Sequence, residues 1–180
     1  EILCELFAEA DAFRGLGAYV EFQQNDLDPN RIRVKNAFAP ATLGAMWGGV
    51  PSWLVSNVSG DSYLEFDITD PNKVQIKKQS LGVDLGYGTN YIFTDYTGKS
   101  EFGTFKDGII SFPVGTVYIE DGDGAYAMNR SGLFRLVMPG VVLADYSLSL
   151  IANGTKVVDG KAYPVVDAIF GADVAQMTMA

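Results

Sequence analysis

Apolar and polar side chains alternate one for one along most of this chain, and that period of two limits its fold more than any other feature. Ala18, Val20 and Phe22 interleave with Tyr19, Glu21 and Gln23, and Ile32 and Val34 with Arg31, Arg33 and Lys35. Leu64, Phe66 and Ile68 interleave with Tyr63, Glu65 and Asp67, and Val74 and Ile76 with Gln75 and Lys77. Further runs follow at Tyr91–Tyr96, Ile109–Phe112, Thr116–Glu120, Leu133–Met138 and Tyr146–Ile151. Successive side chains of an extended strand point to opposite faces, so these segments predict short strands with one buried and one wet face. Many such strands, with Gly or Pro in nearly every gap, predict an all-β fold: an antiparallel β-sandwich or barrel. At most one short N-terminal helix is expected. Ile2, Leu3, Leu6, Phe7, Ala10 and Phe13 recur at i, i+3, i+4 spacing, and Gly15 and Gly17 would stop it. A strand running into a loop is the competing reading. At 180 residues, a single domain over 1–180 is the default.

The turns are legible from their chemistry. Asp107-Gly108 lies between Phe105 and Ile109 and reads as a hairpin turn, as does Asp121-Gly122-Asp123-Gly124 between two apolar runs. Pro113 and Pro139 should each close a strand, since proline cannot donate to a ladder. Ala39–Gly60 is the least regular stretch and holds both tryptophans; a long loop of that kind is often functional. Asp28-Pro29-Asn30-Arg31-Ile32-Arg33-Val34-Lys35 is echoed by Asp70-Pro71-Asn72-Lys73-Val74-Gln75-Ile76-Lys77. The plainer explanation is one turn chemistry used twice, and the sharper one a duplicated sheet unit. Outward Lys and Arg, as over Arg31–Lys35, fit protection of an edge strand.

Composition removes whole classes of chemistry. The chain has no histidine and a single cysteine. It therefore has no Ser-His-Asp triad, no imidazole acid–base chemistry, no Cys-based zinc site and no internal disulfide. Cys4 reads as a buried, inert thiol among Leu3, Leu6 and Phe7. With 13 basic and 22 acidic side chains the net charge is −9, which argues against nucleic acid as a partner. No apolar run is long enough for a membrane-spanning helix.

Three constellations remain. Glu120-Asp121-Gly122-Asp123-Gly124 alternates carboxylates as a calcium loop does, but Ala125 stands where a further ligand is needed, so a hairpin turn is expected and no metal or cofactor is assigned. A glycoside hydrolase needs two carboxyl groups across a cleft. Asp67, Asp70, Asp84 and Asp95 lie near strand ends, but nothing singles out two of them, and no catalytic residue is assigned. The best candidates form a carbohydrate platform, since a sugar's axial C–H groups pack on the π-face of an aromatic ring. Trp47 and Trp53 lie in the irregular stretch, and Tyr87, Tyr91 and Tyr96 in the Gly-rich segment Gly82–Gly98. Against this stands the ordinary use of aromatic rings as core. Asn-x-Ser/Thr sequons at Asn57, Asn129 and Asn153 matter only in a eukaryotic secretory setting.

Several segments taken together resemble uncharacterised secreted, surface lipoproteins of gut Bacteroidetes. They are Gly17–Phe22, Pro29–Phe38, Tyr63–Gly88, Gly103–Pro113 and Gly132–Gly140, in that order, and the likeness spans about residues 5–155. The opening Glu1–Phe7 corresponds to an internal segment of such proteins. The resemblance implies that the chain is a piece of a longer lipoprotein whose lipid anchor, if any, lies upstream of Cys4. It implies export to the cell envelope, at the outer-membrane surface or in the periplasm, often beside glycan-uptake systems. It carries no catalytic residues.

The leading expectation is a non-catalytic cell-surface module that binds a polysaccharide or another envelope protein. The alternatives are a purely structural, scaffolding or protein-interaction domain, and a carboxylate-based glycoside hydrolase or lyase.

Overall fold

A computed structural model describes residues 2–10, 17–47, 60–83, 90–99, 101–122, 124–143 and 147–171, with side chains except at 9, 10, 47, 147–154 and 164–171. Contacts gather the chain into two units, Glu1–Val141 and Val142–Ala180. The first contains β1 (Leu3–Ala10), β2 (Ala18–Gln24), β3 (Arg31–Lys35), α1 (Pro40–Trp47), β4 (Tyr63–Asp67) and β5 (Gln79–Ser80). It continues with β6 (Tyr91–Thr94), β7 (Thr104–Lys106), β8 (Ile109–Phe112), β9 (Val117–Asp121), β10 (Gly124–Ala127) and β11 (Leu133–Val137). The second holds β12 (Ser147–Val158) and β13 (Lys161–Gly171), an antiparallel hairpin turned at Asp159 and Gly160, both with positive φ.

The fold is all-β and antiparallel. A seven-stranded sheet has the order β4-β3-β2-β1-β11-β8-β7, and a four-stranded sheet the order β10-β9-β6-β5. The alternation in the sequence decides which face of each is buried. Register places Leu6 opposite Leu136 and Ala18, Val34 opposite Phe22 and Leu64, and Phe112 opposite Phe134. The inward face of the small sheet carries Ile92 opposite Ile119, and both join the same apolar core. The two sheets are thus layers around one core, a sandwich-like arrangement. Phe112 sits at its centre, with ring centroids 6.3 Å from Phe66 and 6.0 Å from Phe134.

The N-terminal segment is a strand, which corrects the helix expected over residues 2–13. β1 lies in the interior of the large sheet between β2 and β11, with Cys4, Leu6 and Ala8 buried. In so short a segment the i, i+3, i+4 pattern also leaves every second position, Cys4, Leu6, Ala8 and Ala10, apolar. A lone helix of that length is marginal, and two flanking strands supply ladder bonds on both sides. Among the described residues the helix is α1, at the start of the stretch expected to be irregular. Pro40 stands at its first position, where the missing N–H costs nothing, and Leu43 and Met46 are buried. The rest of that stretch up to residue 59 lies outside the described residues.

Turn chemistry largely follows expectation. Asp107 and Gly108 both have positive φ (52° and 76°) between the paired residues Lys106 and Ile109, the geometry of a two-residue hairpin turn. Asp121 pairs with Gly124, so the acidic segment is the β9–β10 hairpin. Pro113 follows β8 and Pro139 follows β11 by one further residue. In both DPN segments the aspartate carboxylate accepts the N–H of the asparagine, and its carbonyl accepts the next residue's N–H. Only the first leads into a full strand; Val74 and Gln75 make isolated bridges. That favours one turn chemistry used twice. β3 is not an edge strand: it lies between β2 and β4, where Arg31 pairs with Glu65 of β4 and Lys35 with Glu21 of β2.

No helix among the described residues is long and apolar enough to cross a membrane, a statement that leaves strands aside.

Candidate functional site

The outward face of the small sheet is aromatic. β6 and β9 pair with Tyr91 opposite Glu120 and Phe93 opposite Tyr118. Because Ile92 and Ile119 turn into the core, these four side chains turn away from it. Tyr96 lies just beyond β6 and closes a three-ring cluster. Its ring lies 5.8 Å from Phe93 and 5.2 Å from Tyr118, and Phe93 stacks on Tyr118 at 6.1 Å and 25°. Phe93 is buried beneath the cluster, whereas Tyr96 is 54% exposed. Lys78 places its ammonium 4.9 Å from the Tyr91 centroid and 5.5 Å from that of Phe93, while also pairing with Glu120. The Tyr118 hydroxyl is pushed above its ordinary pKa, first by burial and then by the Glu101 carboxylate to which it donates. It therefore stays a neutral donor at physiological pH. The result is a ring surface rimmed by one cation and two carboxylates, suited to packing C–H groups and hydrogen-bonding hydroxyls.

Two of the residues singled out from sequence, Tyr91 and Tyr96, meet at this face. Trp47 ends α1, with its side chain outside those described, and Trp53 and Tyr87 lie outside the described residues. Sequence reasoning missed Phe93, Tyr118 and Lys78. The alternation in Tyr91–Tyr96 marks Phe93 as sharing a face with Tyr91, but Tyr118 and Lys78 arrive only through sheet pairing.

The large sheet carries a concavity beside the outward side chains of Gln23, Arg33 and Glu65. Residues 23–26 at the end of β2 and beyond, Arg31 and Arg33 of β3 and Glu65 of β4 line a cleft of about 450 Å³. Arg31 donates to Glu65 at 3.1 Å. Arg33 lies over the Tyr63 ring at 4.0 Å, and its Nε donates to Gln23 Oε1 at 2.7 Å.

Other candidates have structural duties. Asp67 accepts the Thr69 N–H, Asp70 that of Asn72 and Asp95 that of Glu101; Asp84 lies outside the described residues. Cys4 is 2% exposed, and burial pushes its thiol up to about 12, so it is an unreactive core residue. Asn129 is fully buried with its amide nitrogen donating to Pro113 O and Gly132 O, which leaves no route for a glycan. Among the described residues no group of three or more Cys, Asp or Glu is placed to hold a metal ion. No protein-family model matches the chain, and neither does any curated protein or solved structure.

Proposed function

We propose that this chain is a non-catalytic, exported envelope module that holds a polysaccharide against the aromatic face of its four-stranded sheet. One observation carries the reading: Tyr91, Phe93, Tyr96 and Tyr118 share an outward face with Lys78 and Glu120 at its rim. A protein core explains Phe93, but it does not explain a tyrosine as exposed as Tyr96 stacked on the cluster. The envelope setting rests on the resemblance to the Bacteroidetes lipoproteins. Binding without chemistry is supported by the local duties of Asp67, Asp70 and Asp95, which cap turns rather than face one another across a cleft.

The test is calorimetric titration of soluble neutral polysaccharides into the wild-type chain and Tyr96→Ala, with release of reducing ends measured in parallel. Binding by the wild type, weakened about tenfold by losing one ring worth ~1.4 kcal/mol, is the expected result. Equal binding by Tyr96→Ala, or none by the wild type across the panel, overturns the site. Release of reducing ends overturns the non-catalytic reading. The cleft then becomes the place to look, because Asp26 and Glu65 both line it.

A further inference from the structure

The Arg33 cleft is on a different sheet from the aromatic face and stands apart from the reading above. Its chemistry begins with the register of β2, β3 and β4. Gln23, Arg33 and Glu65 form one cross-strand row, and Glu21, Lys35 and Tyr63 the next. On this face the neighbouring cations have carboxylate partners. Arg31 bonds Glu65 at 3.1 Å, Lys35 lies 2.9 Å from Asp61 and 3.9 Å from Glu21, and Lys77 lies 3.3 Å from Asp67. Arg33 has none within ion-pairing distance among the described residues, although Glu65 stands directly opposite and is turned to Arg31 instead. In a chain with 22 acidic and 13 basic side chains, this is not for want of carboxylates.

Nor is Arg33 loose. Tyr63 supports the flat of its guanidinium, and Gln23 takes its Nε–H. Gln23 is itself fixed, its amide nitrogen donating to Glu21 at 2.8 Å. A guanidinium held on one edge and one face presents its terminal nitrogens with little orientation left to lose, the arrangement that recognises a carboxylate. The remaining lining is rich in acceptors. Asp26 and Glu65 contribute carboxylates, and the Gln24 carbonyl oxygen is open because that side chain is anchored through its nitrogen to Pro29 O. Such acceptors repel a bare inorganic anion but suit hydroxyl groups.

We propose that this cleft is a binding site for a hydroxylated carboxylate of the uronic-acid class, its carboxylate on Arg33 and its hydroxyls on Asp26, Glu65 and Gln24. The experiment titrates D-glucuronate, D-glucose and acetate separately into the ¹⁵N-labelled chain and into Arg33→Gln, Arg33→Lys and Tyr96→Ala, following amide shifts. Glucuronate is expected to move the amides of residues 23–26 and 31–33, and to bind about tenfold more weakly to both Arg33 variants, since lysine keeps the charge but loses the fork and the stack. Tyr96→Ala should bind glucuronate like the wild type, which separates failure here from failure of the aromatic site. A thermal melt of each variant checks folding, and the map of shifts on the wild type needs no variant at all. Glucose binding as tightly as glucuronate overturns the role of the carboxylate. Acetate binding as tightly overturns the role of the hydroxyls. Shifts lying elsewhere, or none, overturn the site.

Discussion

Asn129 shows how much of this fold can depend on one polar side chain. It is 0% exposed, its Oδ1 accepts the Val117 N–H at 3.0 Å, and its amide nitrogen serves two carbonyls. Asn129→Ala strands the Val117 N–H and the Gly132 carbonyl in an apolar interior, while Pro113 O keeps the Thr116 hydroxyl, so a loss of about 2 kcal/mol is expected, read from denaturant midpoints. Asp67 supplies the pH dependence. The Thr69 hydroxyl and N–H and the Lys77 ammonium hold its carboxyl below the ordinary value of 3.8. A depressed folded-state pKa gives stability that is full above the ordinary value and lost as pH falls through the folded one. Asp67→Asn should therefore be less stable than wild type at neutral pH and lose less as the pH falls through and below the ordinary value of 3.8. Parallel acid profiles would refute this. At this scale the sequence was partly legible. Tyr91 and Tyr96 stood out as aromatics beside glycines, whereas nothing local in Asn129-Arg130-Ser131 marks a buried hub. Arg33 reads as one of three outward cations until the register shows which carboxylates its neighbours have taken.

Strands were legible wherever one face is buried and the other wet. β2, β3, β4 and β8 follow the alternation, and β11 does so as far as Leu136, which fixes their faces because a one-residue slip would turn the buried set outward. β5 and β7, at two and three residues, are too short to show a period. β1 carries two periods at once, and only its neighbours choose between them. The edge of the large sheet at β4 holds a device that no pattern announces. Gln79, on the edge strand of the small sheet, donates from its side-chain nitrogen to Glu65 O at 3.0 Å, and its oxygen accepts the Glu65 N–H at 2.9 Å. An amide side chain thus imitates a strand and occupies ladder groups that would otherwise be open to another chain. Gln79→Ala should cost about 1 kcal/mol and speed hydrogen exchange at Glu65. Gln79→Glu should cost more, since it keeps an acceptor for the N–H but sets a second oxygen against the Glu65 carbonyl. Unchanged exchange at Glu65 in both variants would show that the edge is held by something else.

The whole first unit is closed by its most distant pairing. β1 hydrogen-bonds to β11 with Glu5 opposite Val137 and Leu6 opposite Leu136, so the described core runs from Cys4 to Leu136 and draws on both ends of Glu1–Val141. Length alone treats the chain as one domain, and cutting after Val141 tests that directly. Residues 1–141 contain the full seven-stranded and four-stranded sheets and the apolar core between them. They are expected to melt in one cooperative transition, with a midpoint within about 5 °C of the complete chain, by calorimetry. The hairpin of β12 and β13, with strands of 12 and 11 residues, has no third strand among the described residues. As a separate peptide it should be unfolded in water, because a lone two-stranded ribbon buries too little to offset the ordering of its backbone. Both proposed sites lie within the first unit, so the shortened chain should retain polysaccharide and glucuronate binding at full-length affinity. A broad, non-cooperative melt of residues 1–141 would mean that the first unit needs residues 142–180 to hold its core, and that the chain folds as one domain after all.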